Sequence, residues 1–151
     1  MNEQFLNFTR NIAKLNNSFM NFIDYNICRL CPDISPTQIL LIKNIGEDSI
    51  DVNTTSNLGY YTGTNITYNI KVLQKKGYLK KSKSKDDERR VYLKLTEKGL
   101  NILSEIDRVF GSHSELLQEQ KIDDKTMKDT NKILYKLQKT FEAWKQVRGK
   151  K

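Results

Sequence analysis

Apolar residues recur at steps of three and four from the start of the chain. Phe5, Phe8, Ile12, Leu15, Phe19 and Phe22, then Ile23, Ile27 and Leu30, follow at helical spacing with polar residues between them. The pattern predicts one long helix over residues 3–31, stopped by Pro32. A one-sided aromatic stripe of that length has to be laid against something. Ser35-Pro36-Thr37-Gln38 reads as a helix start: Ser35 can cap, Pro36 suits the first turn, and Gln38 can close a capping box. Ile39, Leu40, Ile42 and Ile45 give this helix a buried face, and Gly46 ends it. Ile50-Asp51-Val52 is short and extended. Asn53 then caps a brief helix to Leu58, broken by Gly59.

The next helix is predicted from Thr62 to Lys76. Ile66, Ile70 and Leu73 mark its apolar side. At about 100° per residue the opposite side carries Tyr61, Thr64, Tyr68, Lys71 and Lys75, with no acid. Gly77 terminates it. Two helices joined by a glycine turn form a helix-turn-helix pattern. Tyr78 to Ser82 and Val91 to Leu95 then read as strands, the second alternating Val91, Leu93 and Leu95 with Tyr92 and Lys94. The charged segment 83–90 between them holds no apolar residue. Strand, charged loop and strand after a helix-turn-helix make a winged helix. Thr96-Glu97-Lys98-Gly99 opens another long helix, to about Glu119, with Leu100, Leu103, Ile106, Phe110, His113 and Leu117 in step. Asp123 or Asp124 caps a last helix to about Arg148, striped by Met127, Leu134, Leu137, Phe141 and Trp144.

The expected fold is therefore mainly α with a small β wing. Residues 36–96 form a winged helix-turn-helix DNA-binding domain, with a core of Ile39, Ile42, Ile45, Leu58, Ile66, Ile70, Leu73, Leu79, Leu93 and Leu95. Residues 1–35 and 97–151 form a helical dimerisation region. That small core cannot cover the long terminal helices, so their stripes are expected to pack across a two-fold axis in a homodimer. Composition agrees: 37% hydrophobic residues is low for a self-sufficient core of 151 residues, and 29% are charged.

Charge sharpens the picture. The net charge is +8, and residues 71–98 alone hold eleven basic side chains against four acids. Such a stretch is an electrostatic footprint for a polyanion. It runs through a hairpin rather than one basic amphipathic helix, which disfavours a membrane surface. No apolar run approaches the ~18–20 residues of a membrane span. The N-terminus has no signal-peptide pattern, so a cytoplasmic protein is expected. The fourteen Asn, fourteen Ile and twenty Lys point to an AT-rich, bacterial coding genome.

No catalytic constellation is present. Asp123-Asp124 is a helix cap rather than a carboxylate pair, and there is no phosphate-binding glycine loop or metal-ligand cluster, so neither an enzyme nor a cofactor is expected. Cys28 and Cys31 form one Cys-x-x-Cys at a helix end, without a second pair or a nearby His for zinc. They are either small buried hydrophobes or an oxidant-sensitive pair. His113, in register with Phe110 and Leu117, reads as a packed core or interface residue.

Two segments carry a resemblance: Val72-Leu73-Gln74-Lys75-Lys76-Gly77-Tyr78-Leu79, and Asp87-Glu88-Arg89-Arg90-Val91-Tyr92-Leu93-Lys94-Leu95-Thr96-Glu97-Lys98-Gly99. The pattern resembles the multiple-antibiotic-resistance regulator (MarR) family. There the first segment ends the recognition helix. The second carries a wing with an Asp-x-Arg signature, matched by Asp87 and Arg89, and enters the next helix at Leu-Thr-x-x-Gly. The segment Gly59 to Ile66 departs from the common family pattern. The resemblance implies a dimeric repressor or activator of transcription on double-stranded DNA, with a small aromatic effector held between the dimer helices and the winged domain.

It also implies a DNA-binding set. Thr64, Asn65, Thr67 and Tyr68 lie early on the recognition helix and reach bases, Asn65 as a bidentate partner for adenine. Tyr61 and Thr62 complete the set at its start. Lys71 and Lys75 go to phosphates. Arg89 enters a minor groove, oriented by Asp87, and Lys83, Lys85 and Arg90 touch backbone. Two other readings compete. One is an architectural DNA-binding protein of weak sequence preference and no effector. The other is a protein-docking module, which the acid-free helix face opposes.

Overall fold

The computed structural model describes residues 2–55, 65–83 and 90–148, with backbone alone at residues 53 and 144–148. The elements run α1 (Glu3–Ile23), a π-helical turn (Asp24–Cys28), α2 (Pro36–Ile45), β1 (Ile50–Asp51), α3 (Val52–Thr55) and α4 (Ile66–Lys75). They continue with β2 (Leu79–Lys83), β3 (Val91–Leu95), α5 (Glu97–Glu119) and α6 (Asp124–Arg148). The sheet is antiparallel in the order β1-β3-β2. Its central strand pairs Leu93 with Ile50 on one side and with Lys81 on the other. The expected mainly helical fold with a small β wing is what the chain forms.

The chain divides into two compact units, residues 1–109 and 110–151. The first holds the core. Ile39, Ile42, Ile45, Ile70, Leu73, Leu79, Leu93 and Leu95 are buried as expected. They are joined by Ile23, Ile27, Ile34, Leu41 and Tyr78, and by Ile102, Leu103, Ile106 and Val109 of α5. The end of the N-terminal helix and the start of α5 thus share the winged helix's core. Ile66, expected inside, is only half-buried, because it is the first residue of α4. Leu58 and Gly59 lie outside the described residues.

The predicted single helix over 3–31 is corrected. It narrows to α1, and the chain then widens into the π-helical turn. Asn26 Nδ2 donates to Phe22 O at 2.8 Å, a side-chain donor at the carbonyl where the regular ladder changes pitch. The wider turn lets Ile23, Ile27 and Cys28 all face the core. Part of the stripe before it stays outside in the single chain: Phe5 is 50% exposed and Leu15 67%, while Phe8, Phe19 and Phe22 are half-buried. Asn53 is also corrected. It lies within α3, which follows β1 directly, and the turn is tied by Thr55 Oγ1 donating to Asp51 O at 3.0 Å.

The second unit contains the end of α5 and all of α6. His113, expected to be packed, is exposed in the single chain, as are Leu116, Ile133, Leu134, Tyr135 and Phe141. No helix among the described residues is long and apolar enough to cross a membrane.

Candidate nucleic-acid interface

Helix α4 is built with two unlike faces. Ile70 and Leu73 are buried beside Asn69, and Thr67, Tyr68, Lys71 and Lys75 are exposed. Tyr68 is 58% exposed, so its ring is not part of the core. Asn65 does not sit inside the helix as the sequence reading had it. It is the N-cap, and its Oδ1 accepts from the Tyr68 N–H at 3.2 Å. That oxygen is engaged, so a bidentate grip on adenine would have to break the cap. The proposed DNA contacts Tyr61, Thr62 and Thr64 lie outside the described residues.

Gly77 closes the helix. Its φ is +78°, a left-handed conformation that glycine adopts without strain. The Tyr78 N–H reaches back to Leu73 O at 2.9 Å and the Gly77 N–H to Gln74 O at 3.1 Å, the paired bonds of a Schellman cap. The chain turns there directly into β2.

The strands of the wing continue the positive face. Lys80, Lys81, Lys83 and Lys94 are exposed. Lys80 stands opposite Lys94 across the β2–β3 ladder. Like charges in that register repel, and an anion between them would relieve the repulsion. Among the described residues the ion pairs use Lys43, Lys98, Arg108, Lys132 and Lys139, and none of the exposed cations of α4, β2 or β3. Lys80, Lys81 and Lys94 were counted in the charge but not placed in the site. Strand alternation could have found the Lys80–Lys94 register. Lys83 ends β2 and Arg90 precedes β3, both exposed. Lys85, Asp87 and Arg89 lie outside the described residues.

A polar clamp holds this face in place. Tyr78, buried at 2% exposure, donates its hydroxyl to Asp33 Oδ1 at 2.7 Å. Lys98 Nζ donates to Lys76 O at 3.0 Å, just past the end of α4, and lies 3.9 Å from Asp33 Oδ2. It also sits 3.9 Å over the Tyr78 ring. The Tyr78 hydroxyl, aided by Lys98, holds the Asp33 carboxyl below its ordinary range; burial and Asp33 push the Tyr78 phenol up. Thr96 caps α5 through Gly99 N–H, donates its hydroxyl to Gly77 O at 2.6 Å, and takes Tyr78 O with its own N–H at 3.0 Å. The Leu-Thr-x-x-Gly segment thus fastens the end of α4 to the exit of the wing.

Cys28 and Cys31 are both buried free thiols. Burial, then each one's acidic or thiol neighbours, push Cys28 up to about 12 and Cys31 to about 11. At neutral pH both stay as thiols, the unreactive form. A surface cleft of about 580 Å³ lies between the π-helical turn and the start of α2, lined by Tyr25, Cys28, Arg29, Ile34 and Pro36 among others.

A two-helix reader ending in a glycine cap, followed by a two-stranded wing, defines a winged helix-turn-helix protein. Residues 33–106 match the family model described as transcriptional regulator SarA/Rot. The chain is 26% identical over 106 residues to the exopolysaccharide II synthesis transcriptional activator ExpG of Rhizobium meliloti, covering 70% of this chain and 55% of that protein. It is 32% identical over 71 residues to the HTH-type transcriptional regulator SarZ of Staphylococcus haemolyticus, covering 46% and 48%. The chain spans about half the length of the curated relatives it matches. Its fold is shared with a mutant MarR from E. coli complexed with operator DNA, at TM-score 0.67 and 19% identity, covering 89% of this chain and 95% of that one. The chain has a winged-helix fold of the MarR/SarA type, and the proteins it matches are described as transcriptional regulators.

Proposed function

We propose that the chain binds double-stranded DNA sequence-specifically, as a homodimer on an inverted-repeat operator in a bacterial cytoplasm. The observation that carries this is the exposed, acid-free face of Thr67, Tyr68, Lys71 and Lys75 on a helix whose other side is fixed by Ile70 and Leu73. A helix of that kind fits the major groove, where base edges are distinguishable. Thr67 and Tyr68 meet bases or sugar, and Lys71 and Lys75 meet phosphates. Lys80, Lys83, Arg90 and Lys94 extend the backbone contacts. Tyr61, Thr62, Thr64, Lys85, Asp87 and Arg89 keep the roles read from the sequence. Asn65 acts first as a cap. The operator-bound MarR structure of the same fold supports this reading.

In this reading residues 36–96 contact DNA, and residues 1–35 and 97–151 pair the two chains. The exposed stripes of α1 and α6 support the pairing. A small aromatic effector occupies the cleft beside Tyr25 and Arg29, the latter stacked 3.8 Å over the Tyr25 ring. The test is selection of bound sequences from a random duplex library at two salt concentrations. An inverted repeat with half-sites about one helical turn apart is expected. Recovery of A·T-rich duplexes without a repeat would instead establish the architectural reading.

A further inference from the structure

We propose that the buried amide pair Gln38–Asn69 sets the rotation of α4, making both residues positioning residues for base reading. The inference rests on the DNA-binding reading above and assigns part of its specificity to side chains that touch no DNA.

Gln38 and Asn69 are 7% and 9% exposed, two of the few polar side chains buried with a largely aliphatic core. Gln38 Nε2 donates to Asn69 Oδ1 at 3.0 Å. Asn69 Nδ2 donates to Asn65 O at 3.0 Å, and Asn65 Oδ1 caps the first turn of α4 through Tyr68 N–H. At the other end, Gln38 Oε1 accepts from the Ser35 N–H at 3.0 Å, and Ser35 Oγ accepts from the Gln38 N–H at 3.4 Å. One run of hydrogen bonds therefore joins the start of α2 to the start of α4. The polar pair spans 31 positions of sequence, so it is a tertiary device and not a local cap.

Apolar contact alone would not do this. Ile70 and Leu73 hold α4 to the core, but hydrophobic burial is non-directional and tolerates small rotations. Turning a helix by about 20° moves a side-chain tip at its outer radius of about 5–6 Å by about 2 Å. A hydrogen bond holds its donor–acceptor distance within about 0.5 Å. The Gln38–Asn69 bond thus fixes the angle at which Thr67 and Tyr68 leave the protein. Lys71 and Lys75, on long flexible stems meeting phosphates, are far less sensitive to that angle.

The test compares the recovered operator duplex with a scrambled duplex of the same composition, using the full chain. In Gln38→Leu/Asn69→Leu both partners become apolar, a replacement that can leave stability nearly unchanged. The operator-to-scrambled affinity ratio is expected to fall about tenfold or more, while scrambled-duplex affinity and its salt slope hold. Asn69→Leu alone, which keeps the Ser35–Gln38 box, is expected to move the ratio the same way if the double variant does not fold. An unchanged ratio would falsify the inference. So would an equal loss on both duplexes with a lowered thermal midpoint, which marks the pair as a stability element only. A wild-type chain that shows no preference between the duplexes defeats the DNA-reading proposal itself, and this one with it.

Discussion

Tyr78 illustrates how much one residue carries. Its backbone closes α4 and receives Thr96, and its hydroxyl binds Asp33, 45 positions earlier. The folded state favours ionised Asp33, so on acidification the unfolded chain takes up that proton first. The contribution is present at neutral pH and is lost as pH falls below the ordinary carboxylate range of about 4. The phenol works in the opposite direction: its contribution is intact below about pH 10 and fades above it. Tyr78→Phe should cost about 1 kcal/mol at pH 7, a charge-assisted bond discounted for the exposure of Asp33. In urea titrations of both proteins the difference should narrow as pH falls below about 4; a difference that does not change with pH over the acid range would remove Asp33 from the account. Thr96 and Gly99 were legible as members of a pattern. Their work was not, because the partners Gly77, Tyr78 and Asp33 are brought up only by the fold. Asn65 was misread for a related reason: α4 begins at Ile66, so the residue falls on the cap and not within the helix.

At the scale of elements, local chemistry marked the boundaries it controls. The capping box at Ser35, the glycine after α4 and the alternation of β3 all act within a few residues, and each element lies where these signals place it. The π-helical turn carries no such signal, since Ile23 and Ile27 fit a regular helix equally well on paper. Its cause is the core that both residues join. The end of α5 falls at Glu119, where the pattern placed it, but its cap was silent: Lys121, not glycine, takes the left-handed position at φ 60°, with Ile122 N–H reaching Leu117 O at 3.0 Å. Between β3 and α5 the constraint is steric. A Cβ on Gly99 would stand 2.2 Å from Tyr78 O and 3.1 Å from Leu95 Cβ. Both neighbours are held by the ladder and the clamp, so something in the backbone must move. Gly99→Ala should destabilise by about 1–3 kcal/mol, as overpacking does. Thermal melts of this variant beside Lys98→Ala would separate the steric effect from loss of the clamp; a melt identical to wild type would mean that the turn has room to spare.

For the whole molecule, the question is what covers the apolar surface left outside. Phe5, Ile12 and Leu15 on α1, and Met127, Ile133, Leu134, Tyr135 and Phe141 on α6, are each between 38% and 67% exposed in one chain. Both stripes were legible from periodicity, and so was the need for a partner. A second copy was expected there on the ground of area, since a periodic pattern records that a face is buried and not by whom. Sedimentation equilibrium should give twice the 17.7 kDa chain mass, and Phe141→Glu with Leu134→Glu should return it toward one. A wild-type monomer at micromolar concentration would overturn the pairing. With pairing in place, the outward face of α6 reaches into gene dosage. Wherever free chains outnumber pairs, pairs accumulate as the square of chain concentration, so on the proposed reading doubling expression would raise the occupancy of a mostly empty operator about fourfold. On that reading a cell would respond more than proportionately to a modest change in synthesis of this chain.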